Sequence, residues 1–520
     1  MATETELKLR IAPDAVAALS RHPVLRPLKR GRSRTTQLTS TYFDTPSDAL
    51  ARARVALRLR RDGRHWLQTV KGPAGEAAGG LTARPEFEWP VAGADLDPLR
   101  FATTPFRRTL AKAEREGLAA RFTTDIRRTT IPLAFPDSTM AHLCIDVGEV
   151  RTADGGPVRR AAVHEIEIEL EAGDPRRLYE LAHALAGDLP LAVEPASKAE
   201  RGYALRKPHA AAPLRAVDAE LSRKASAGEA FAAIVGACLA QVEGNANGVT
   251  GDGDPEWIHQ MRIGVRRLRA CLSLARRSLP PERIEPLRVE WRWLAQALGP
   301  ARDLDVFVLE TLPAFREAAE RGGGSADLAP ALSRLHARAA QQRKEARVQA
   351  RAAVASPRFM RAMLATAAAA AAPDVAGTKR GGHGKLARSA RAFARPLLAR
   401  RHGALLALGA NLAHAAPEAR HAARLAAKKL RYAAEFFASL YPGKRARAYR
   451  RSLAALQEEL GAWNDAAVAA RLAASLAGAQ SPAAAAFAGW AAALGAERSD
   501  ALLRAWDAFA RVRPFWARSS

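Results

Sequence analysis

Charge in the first 170 residues of this chain repeats with a period of two. Glu4, Glu6 and Lys8 alternate with Thr5, Leu7 and Leu9. Arg58 and Arg60 sit beside Leu57 and Leu59, and Arg84, Glu86 and Glu88 flank Phe87. Glu165, Glu167 and Glu169 alternate with Ile166 and Ile168. A β-strand sends successive side chains to opposite faces, so each segment carries a charged row and an apolar row. A face that is merely wet normally mixes in Thr, Ser and Gln. Four strands with nearly pure rows of charge predict a sheet that turns its charged face inward, around a metal and a polyanion.

At 520 residues the chain is too long for one core, so at least two domains are expected. Residues 1–210 hold 33 basic and 27 acidic residues, and the remainder holds 47 and 26. The second part therefore carries most of the positive field. Such a surface attracts phosphate polymers: nucleic acid, polyphosphate or anionic lipid. The three cysteines, Cys144, Cys238 and Cys271, have no metal-ligand spacing and are odd in number, which fits a reducing cytoplasm. The N-terminus opens on charges rather than an apolar stretch, so no signal peptide is expected. Met363–Ala372 is the most apolar stretch, but it is too short to span a bilayer and is stopped by Pro373.

Strands are expected near 3–11, 54–61, 65–71, 84–91, 124–132, 141–147 and 162–170, with helices over 13–20, 104–118 and 175–186. A linker over 206–217 follows, centred on Lys207–Pro213. Beyond it strand signals vanish, and Ala, Leu and Arg recur at helical spacing. Breaks at 248–255, 279–281, 322–324, 373–384 and 441–443 divide this part into roughly ten helices. The alanine-rich segment 362–373 reads as a flexible connection. An internal repeat is present: His259, Arg262, Arg266, Arg267, Leu268 and Arg269 return 162 residues later as His421, Arg424, Lys428, Lys429, Leu430 and Arg431. Leu298-Gly299 and Asp303 return at the same offset as Leu460-Gly461 and Asp465. Two segments sharing one offset predict two related helical halves, about 218–375 and 385–515.

Arginine suits phosphate because its planar fork donates parallel hydrogen bonds, and magnesium takes carboxylates, waters and substrate oxygens. The first 205 residues offer both sets. They also resemble the CYTH superfamily of triphosphate tunnel metalloenzymes, in eight pieces that follow in register. These are Glu4-x-Glu6-x-Lys8, Tyr42-Phe43-Asp44-Thr45-Pro46, Leu57-Arg58-Leu59-Arg60, Thr69-Val70-Lys71-Gly72, Arg84-x-Glu86-x-Glu88, Asp125-Ile126-Arg127-Arg128, Ile145-Asp146 and Glu165-x-Glu167-x-Glu169; Lys198 with Arg201-Gly202-Tyr203 closes the series.

The resemblance implies a closed barrel of eight antiparallel strands with a polar tunnel. It places Glu4, Glu6, Asp146, Glu165 and Glu167 on the metal side. Lys8, Arg58, Arg60, Lys71, Arg127 and Lys198 would hold phosphates, with Glu86 and Glu88 orienting those cations or helping with a second metal. The implied chemistry is attack of water on a terminal phosphoryl group with Mg²⁺ or Mn²⁺ neutralising charge. Glu4, Glu6 and Lys8 form the catalytic motif, and Glu4 is the candidate proton acceptor. Trp66 and Trp89 are the two rings that could stack a base.

On a helix, positions 0, 3, 7 and 10 lie near one face. His259, Arg262, Arg266 and Arg269 have that spacing, as do His421, Arg424, Lys428 and Arg431. Residues 218–515 resemble the CHAD family, the conserved histidine α-helical domain, at these stripes and at Leu298-Gly299, Arg302-Asp303-x-Asp305, Leu460-Gly461 and Asn464-Asp465. The resemblance implies that both stripes bind inorganic polyphosphate, with Asp303, Asp305 and Asp465 orienting arginines. The expected fold is thus α+β: a barrel over 1–205, then an all-α bundle. The expected activity is hydrolysis of inorganic triphosphate by a cytoplasmic enzyme, coupled through the bundle to polyphosphate, with polyphosphate granules as a further expected partner. The alternatives are a non-catalytic polyphosphate scaffold, an adenylate cyclase and a nucleic-acid binder. Aromatics are 6% of residues, too few for base-stacking platforms, so a nucleic-acid partner is not expected, nor a membrane.

Overall fold

The structure is a computed structural model that describes residues 2–75, 79–153, 157–207, 212–251, 253–276, 278–321, 328–372, 385–409, 412 and 416–517. Most of the expected linker core and the breaks at 322–324 and 373–384 lie outside them. The chain forms two compact units. One holds Met1–Ala212 and Ser356–Ala371; the other holds Pro213–Ala355 and Ala372–Ser520.

The first unit is a barrel of β1 (Ala2–Ile11), β2 (Arg34–Asp44), β3 (Ala56–Asp62), β4 (His65–Lys71), β5 (Leu81–Val91), β6 (Ala119–Ala134), β7 (Met140–Thr152) and β8 (Arg160–Ala172). Its order is β5-β4-β3-β2-β6-β7-β8-β1, all antiparallel, and β1 closes it by pairing back onto β5. The short β9 (Leu191–Val193) adds to β1. Helices α1 (Val16–Ser20), α2 (Ala49–Arg52), α3 (Arg107–Arg115), α4 (Arg176–Asp188) and α5 (Lys198–Arg206) complete this part of the unit. Alternation holds as expected, and along the middle of β1 neither row is wet, although Thr3 and Arg10 near its ends are exposed. Leu7, Leu9 and Ile11 are buried on the outer face, and Glu6 and Lys8 are buried on the inner one. Over β3, the outer row packs with Leu50, Phe101 and Leu110.

Of the elements that were not expected, two shape the barrel interior. β2 reads Arg-Thr-Thr-Gln-Leu-Thr-Ser-Thr, polar on both faces, so it gives no apolar alternation. It is nevertheless a central strand between β3 and β6. The second is α5. Ser197 and Glu200 form a reciprocal capping box at its start. Its Ala199, Tyr203 and Leu205 pack on Tyr42, Phe122, Ile126, Val150 and Val163. Phe122, Ile126 and Val150 share the strand parity of Arg128 and Asp146, so this cluster sits on the inner face, and α5 fills one end of the barrel interior. The contact is close: a Cβ on Gly202 would lie 2.3 Å from the Phe122 ring.

The second unit is helical: α6 (Ala227–Thr250), α7 (Glu256–Ala275), α8 (Pro281–Val306), α9 (Leu312–Arg321) and α10 (Leu328–Val354) precede α11 (Pro357–Ala370). After it come α12 (Ala390–Gly409), α13 (Pro417–Phe436), α14 (Lys444–Ala477), α15 (Pro482–Glu497) and α16 (Ser499–Arg511). The repeat appears as the helix pairs α7–α8 and α13–α14. A π-helical turn, Phe307–Thr311, joins α8 to α9. The segment read as a flexible connection is instead the body of α11, and it groups with the barrel. It packs on α4 and β9, burying Met360, Met363, Leu364 and Ala367, so the expected first helical half, 218–375, is interrupted by a barrel segment. Among the described residues, no helix is long and apolar enough to cross a membrane.

Candidate functional site

The barrel interior encloses a cavity of about 530 Å³. Glu4, Glu6 and Lys8 line it from β1, Tyr42 from β2, Arg58 and Arg60 from β3, and Lys71 from β4. Arg84, Glu86 and Glu88 enter from β5, Arg128 from β6, and Glu167 and Glu169 from β8. Lys198 reaches in from the first turn of α5, whose N-terminal dipole adds positive potential. Twelve of the thirteen predicted residues therefore line one cavity or, as Asp146 and Glu165 do, bond directly to its lysine.

Arg127 does not converge with them. It is exposed, while Arg128 next to it faces inward and grips Asp146 at 2.7 Å through both Nε and Nη2. Arg128 also pairs with Glu167 and, at 2.9 Å, with Glu169. The sequence offered two adjacent arginines, and strand parity admits one of them.

The carboxylates fall into two groups, each with ligand atoms mutually within 4.8 Å: Glu4, Glu6 and Glu169, and Asp146, Glu165 and Glu167. The groups differ in what already occupies them. Lys198 Nζ sits 2.6 Å from Asp146 and 3.0 Å from Glu167 and also bonds Glu165, while Arg201 takes the other Glu165 oxygen. Burial pushes Glu167 up, but Lys198, Arg128 and Lys8 outweigh it and hold that carboxylate well below its ordinary range. Burial is likewise opposed at Lys198, whose ammonium those carboxylates stabilise. This group anchors cations. The Glu4 group is looser: Arg84 bridges Glu4 and Glu6 at 3.2 and 2.8 Å, and Lys71 donates to Glu4 at 2.6 Å. Three convergent carboxylates without nitrogen or sulfur donors suit a hard divalent cation such as Mg²⁺ or Mn²⁺. Glu169, absent from the expected ligand set, follows the same alternating parity as Glu165 and Glu167.

The phosphate side is set by cations in unequal states. Arg58 is held by Glu86 at 3.6 Å, Glu88 at 3.7 Å and Thr69 at 3.2 Å. Lys71 also pairs with Glu86 at 3.0 Å. Arg60 bonds Ser40 at 3.3 Å and forms no ion pair among the described residues. Burial, then Arg58 and Arg128, bring its pKa down to about 10. An anion arriving beside Arg60 relieves that repulsion. Tyr42 was quoted for its motif but given no role; its phenol sits among Arg58, Arg60 and Lys198, which pull it below its ordinary value against the upward push of burial. Trp66 and Trp89 do not line the cavity; Trp89 packs with Phe87 against the apolar cluster around β3.

In the helical unit, α7 and α13 bring the two stripes to one cavity of about 470 Å³. His259, Arg262 and Arg266 line it from α7, and His421, Arg424 and Lys428 from α13. Asp303 holds Arg262 at 2.7 Å, and Asp465 holds Arg424 at 3.2 Å, a repeated pair from the repeated sequence. Asp305 is elsewhere, fully buried against Arg343 at 2.6 Å. The stripe expectation holds for three residues of each four. Ten positions at about 100° each leave the last residue roughly 80° off the first. Arg269 thus falls outside this cavity, and Arg431 pairs with Glu435 at 2.7 Å and Gln457 at 3.3 Å.

The CYTH domain family model matches residues 2–203, and the CHAD domain family model matches residues 233–474. An inorganic triphosphatase of Haemophilus influenzae is 28% identical over 208 residues, which are 39% of this chain and 55% of that protein. The chain thus spans about half the length of that relative. The crystal structure of the CHAD domain from the plant Ricinus communis is 37% identical, covering 57% of this chain and 96% of that one, with a TM-score of 0.48. An adenylyl-cyclase candidate from Hippeastrum with a dominant triphosphatase activity is 19% identical over 39% of this chain and 95% of its own, with a TM-score of 0.28.

Proposed function

For a chain that belongs to the CYTH and CHAD families, joining one domain of each, we propose a metal-dependent inorganic triphosphatase fused to a polyphosphate-binding helical bundle. The observation that carries the first half is the tunnel itself. One cavity, filled at one end by α5, holds the trio Glu4, Glu6 and Glu169 and a ring of cations that includes the uncompensated Arg60. The triphosphatase relative in Haemophilus influenzae supports the same reaction.

Glu4, Glu6 and Glu169 would hold Mg²⁺ or Mn²⁺, which supplies charge neutralisation of the phosphate oxygens when bound. Arg58, Arg60, Arg128 and Lys198 bind and orient the phosphate chain. Glu86 and Glu88 aim Arg58, and Asp146, Glu165 and Glu167 aim Lys198 and Arg128. Glu4 stays ionised at neutral pH: burial raises its pKa, but Lys71 and Arg84 bring it below the ordinary value, so it can accept a proton from water. Inorganic triphosphate fits better than a nucleotide or thiamine ester because, among the described residues, no Trp or Phe lines the cavity; its rings are the His142 imidazole and the Tyr42 phenol, the latter wedged among arginines.

For the bundle, the paired stripes around the 470 Å³ cavity support a polyanion ligand, and polyphosphate matches closely spaced cations with one charge per phosphate. We place the protein in the cytoplasm, associated with polyphosphate granules. The test is phosphate release from triphosphate, ATP and thiamine triphosphate with Mg²⁺, Mn²⁺ or EDTA, for wild type and Glu4→Ala/Glu6→Ala. Metal-dependent turnover that prefers triphosphate and is lost in the double variant is expected. No turnover on any substrate would leave a polyphosphate-binding scaffold.

A further inference from the structure

α11 belongs to the first unit, while the chain on both sides of it, up to Ala355 and from Ala372, belongs to the second. Strands β1 to β8 close the barrel without it. A helix contributed from so far along the chain raises the question of what it does there.

Met360, Met363 and Ala367 recur at helical spacing on α11 and are all buried. Ala367 stands over the loop that leads into β5. A Cβ on Gly79 would lie 2.8 Å from the Ala367 Cβ and 3.8 Å from the Met363 carbonyl oxygen. Gly79 and Gly80 have φ of +58° and +84°, a left-handed path that glycine adopts at little cost. Ala367 is 1% exposed, so neither side of this contact has room for another carbon.

The loop leads on to Lys8. The β1–β5 ladder ends at the pair Leu7 and Leu81. The next backbone N–H, that of Lys8, donates to the Gly80 carbonyl at 3.1 Å, and the Lys8 carbonyl accepts from the Glu194 N–H at 3.2 Å. Glu194 directly follows β9, and α11 packs on β9 as well as on the glycine loop. Both backbone groups of Lys8 are therefore bonded to segments that α11 backs. The Lys8 ammonium points inward, 3.4 Å from Glu6 and 3.5 Å from Glu167. It stands between the carboxylates proposed to take the metal and those that aim Lys198. A backbone shift there displaces charge at the phosphate chain, and about one ångström can cost about a hundredfold in rate.

We propose that α11 is a positioning element for the phosphoryl-transfer site: Ala367 presses on Gly79 and Gly80, and that loop fixes Lys8. Ala367 and Gly79 act through Lys8 and not on the substrate. The tunnel is thus completed by a helix whose chain neighbours lie in the helical unit. This rests on the reading of the barrel as a triphosphatase, and it gives the fusion a part in the barrel's chemistry besides tethering.

The test uses the full chain and takes two readings: phosphate release from triphosphate with Mg²⁺, and hydrogen exchange of the Lys8 amide in overlapping peptides. Gly79→Ala should lower kcat/KM by about tenfold or more and speed exchange at Lys8. Gly79→Ala/Ala367→Gly removes the carbon that the new methyl meets and should recover most of both. The remaining neighbours of that methyl, the Tyr179 ring at 3.6 Å and the Met363 carbonyl at 3.8 Å, are ordinary contacts. Ala367→Leu should reproduce the loss from the other side of the contact. Met360→Ala, on the same buried row, opens a cavity instead of pressing on the loop. It should lower the melting midpoint yet keep kcat/KM within about twofold and leave Lys8 exchange unchanged. Full activity in Gly79→Ala, no recovery in the double variant, or an equal loss in Met360→Ala would overturn the positioning role. If wild type releases no phosphate from triphosphate, the triphosphatase reading falls instead, and exchange at Lys8 alone decides whether α11 holds it.

Discussion

Lys71 Nζ lies 2.6 Å from Glu4 Oε2, so a protein cation already rests on one carboxylate of the trio proposed to take a divalent ion. A metal arriving there competes with this ammonium, and a displaced Lys71 is free to turn to phosphate. Lys71→Met removes both effects. Its half-maximal Mn²⁺ concentration, measured by calorimetry without substrate, is expected to fall. Phosphate release from triphosphate should drop by about a hundredfold, the usual scale for losing one charge-stabilising donor. Unchanged Mn²⁺ affinity would show that Lys71 and the metal do not share Glu4.

Arg127 and Arg128 should behave as opposites. Removing Arg128 leaves Asp146, which is fully buried, with Lys198 as its remaining ion partner. Breaking a buried pair in this way costs about 3 kcal/mol. Arg128→Ala is therefore expected to lower the melting midpoint of the barrel and abolish phosphate release. Arg127→Ala, on the exposed side, should stay within about 0.5 kcal/mol of wild type and keep its activity. Circular dichroism melts and a phosphate assay on the two single variants decide this; equal losses would mean that the strand is registered the other way.

These two arginines also mark how far sequence alone could reach. Period-two charge in β1, β5 and β8 was legible because each strand alternates strictly. In β6, Asp125 and Arg127 share one row and Arg128 the other, so charge by itself does not choose a face. β2 was illegible for another reason: its Thr and Ser suit a strand whose neighbours satisfy its backbone, but they give no hydrophobic period to detect. The helical stripes were legible through their repeat, although 3.6 residues per turn carried the fourth member of each away. α11 was misread because its partners on α4 lie far away in sequence, and an alanine-rich segment looks alike whether docked or free.

Gly202 is the place where backbone size controls the tunnel. A Cβ there would stand 2.3 Å from the Phe122 ring, which is itself fully buried and stacked on Tyr42 at 4.6 Å. Neither ring can retreat cheaply, so Gly202→Val should push α5 outward, at a cost of about 2 kcal/mol. Lys198 and Arg201 ride on that helix, so Glu165 would lose both its ion partners, and Asp146 and Glu167 would keep Arg128 but lose Lys198. Phosphate release should be lost, and the barrel's melting midpoint should fall more at neutral than at acid pH, where carboxylates shed their repulsion. A valine variant with full activity would show that α5 does not set the tunnel's end.

Lys428 should make the proposed polyphosphate binding sensitive to pH in a narrow window. Burial first, then Arg424, Arg266 and Arg262, lower its ammonium to about 8, with Asp465 pulling the other way. Below that pH it is a cation and above it an amine, so affinity should be full near pH 7 and fall as pH rises past 8. His259 does not offset this, since burial and Arg302 lower its pKa and leave the ring neutral across the window. The effect on folding has the opposite sign. A lysine with a depressed pKa disfavours the fold while charged, so stability should rise as pH climbs from about 8 toward the ordinary lysine value near 10.4. A bound phosphate chain restores the charge, so binding at pH 8 should take up a proton, visible as a calorimetric heat that depends on the buffer's ionisation enthalpy. Lys428→Arg keeps the cation at every accessible pH and should abolish both the pH step and the proton uptake while preserving affinity at pH 7. A wild-type affinity that stays flat from pH 7 to pH 9 would remove Lys428 from the binding surface.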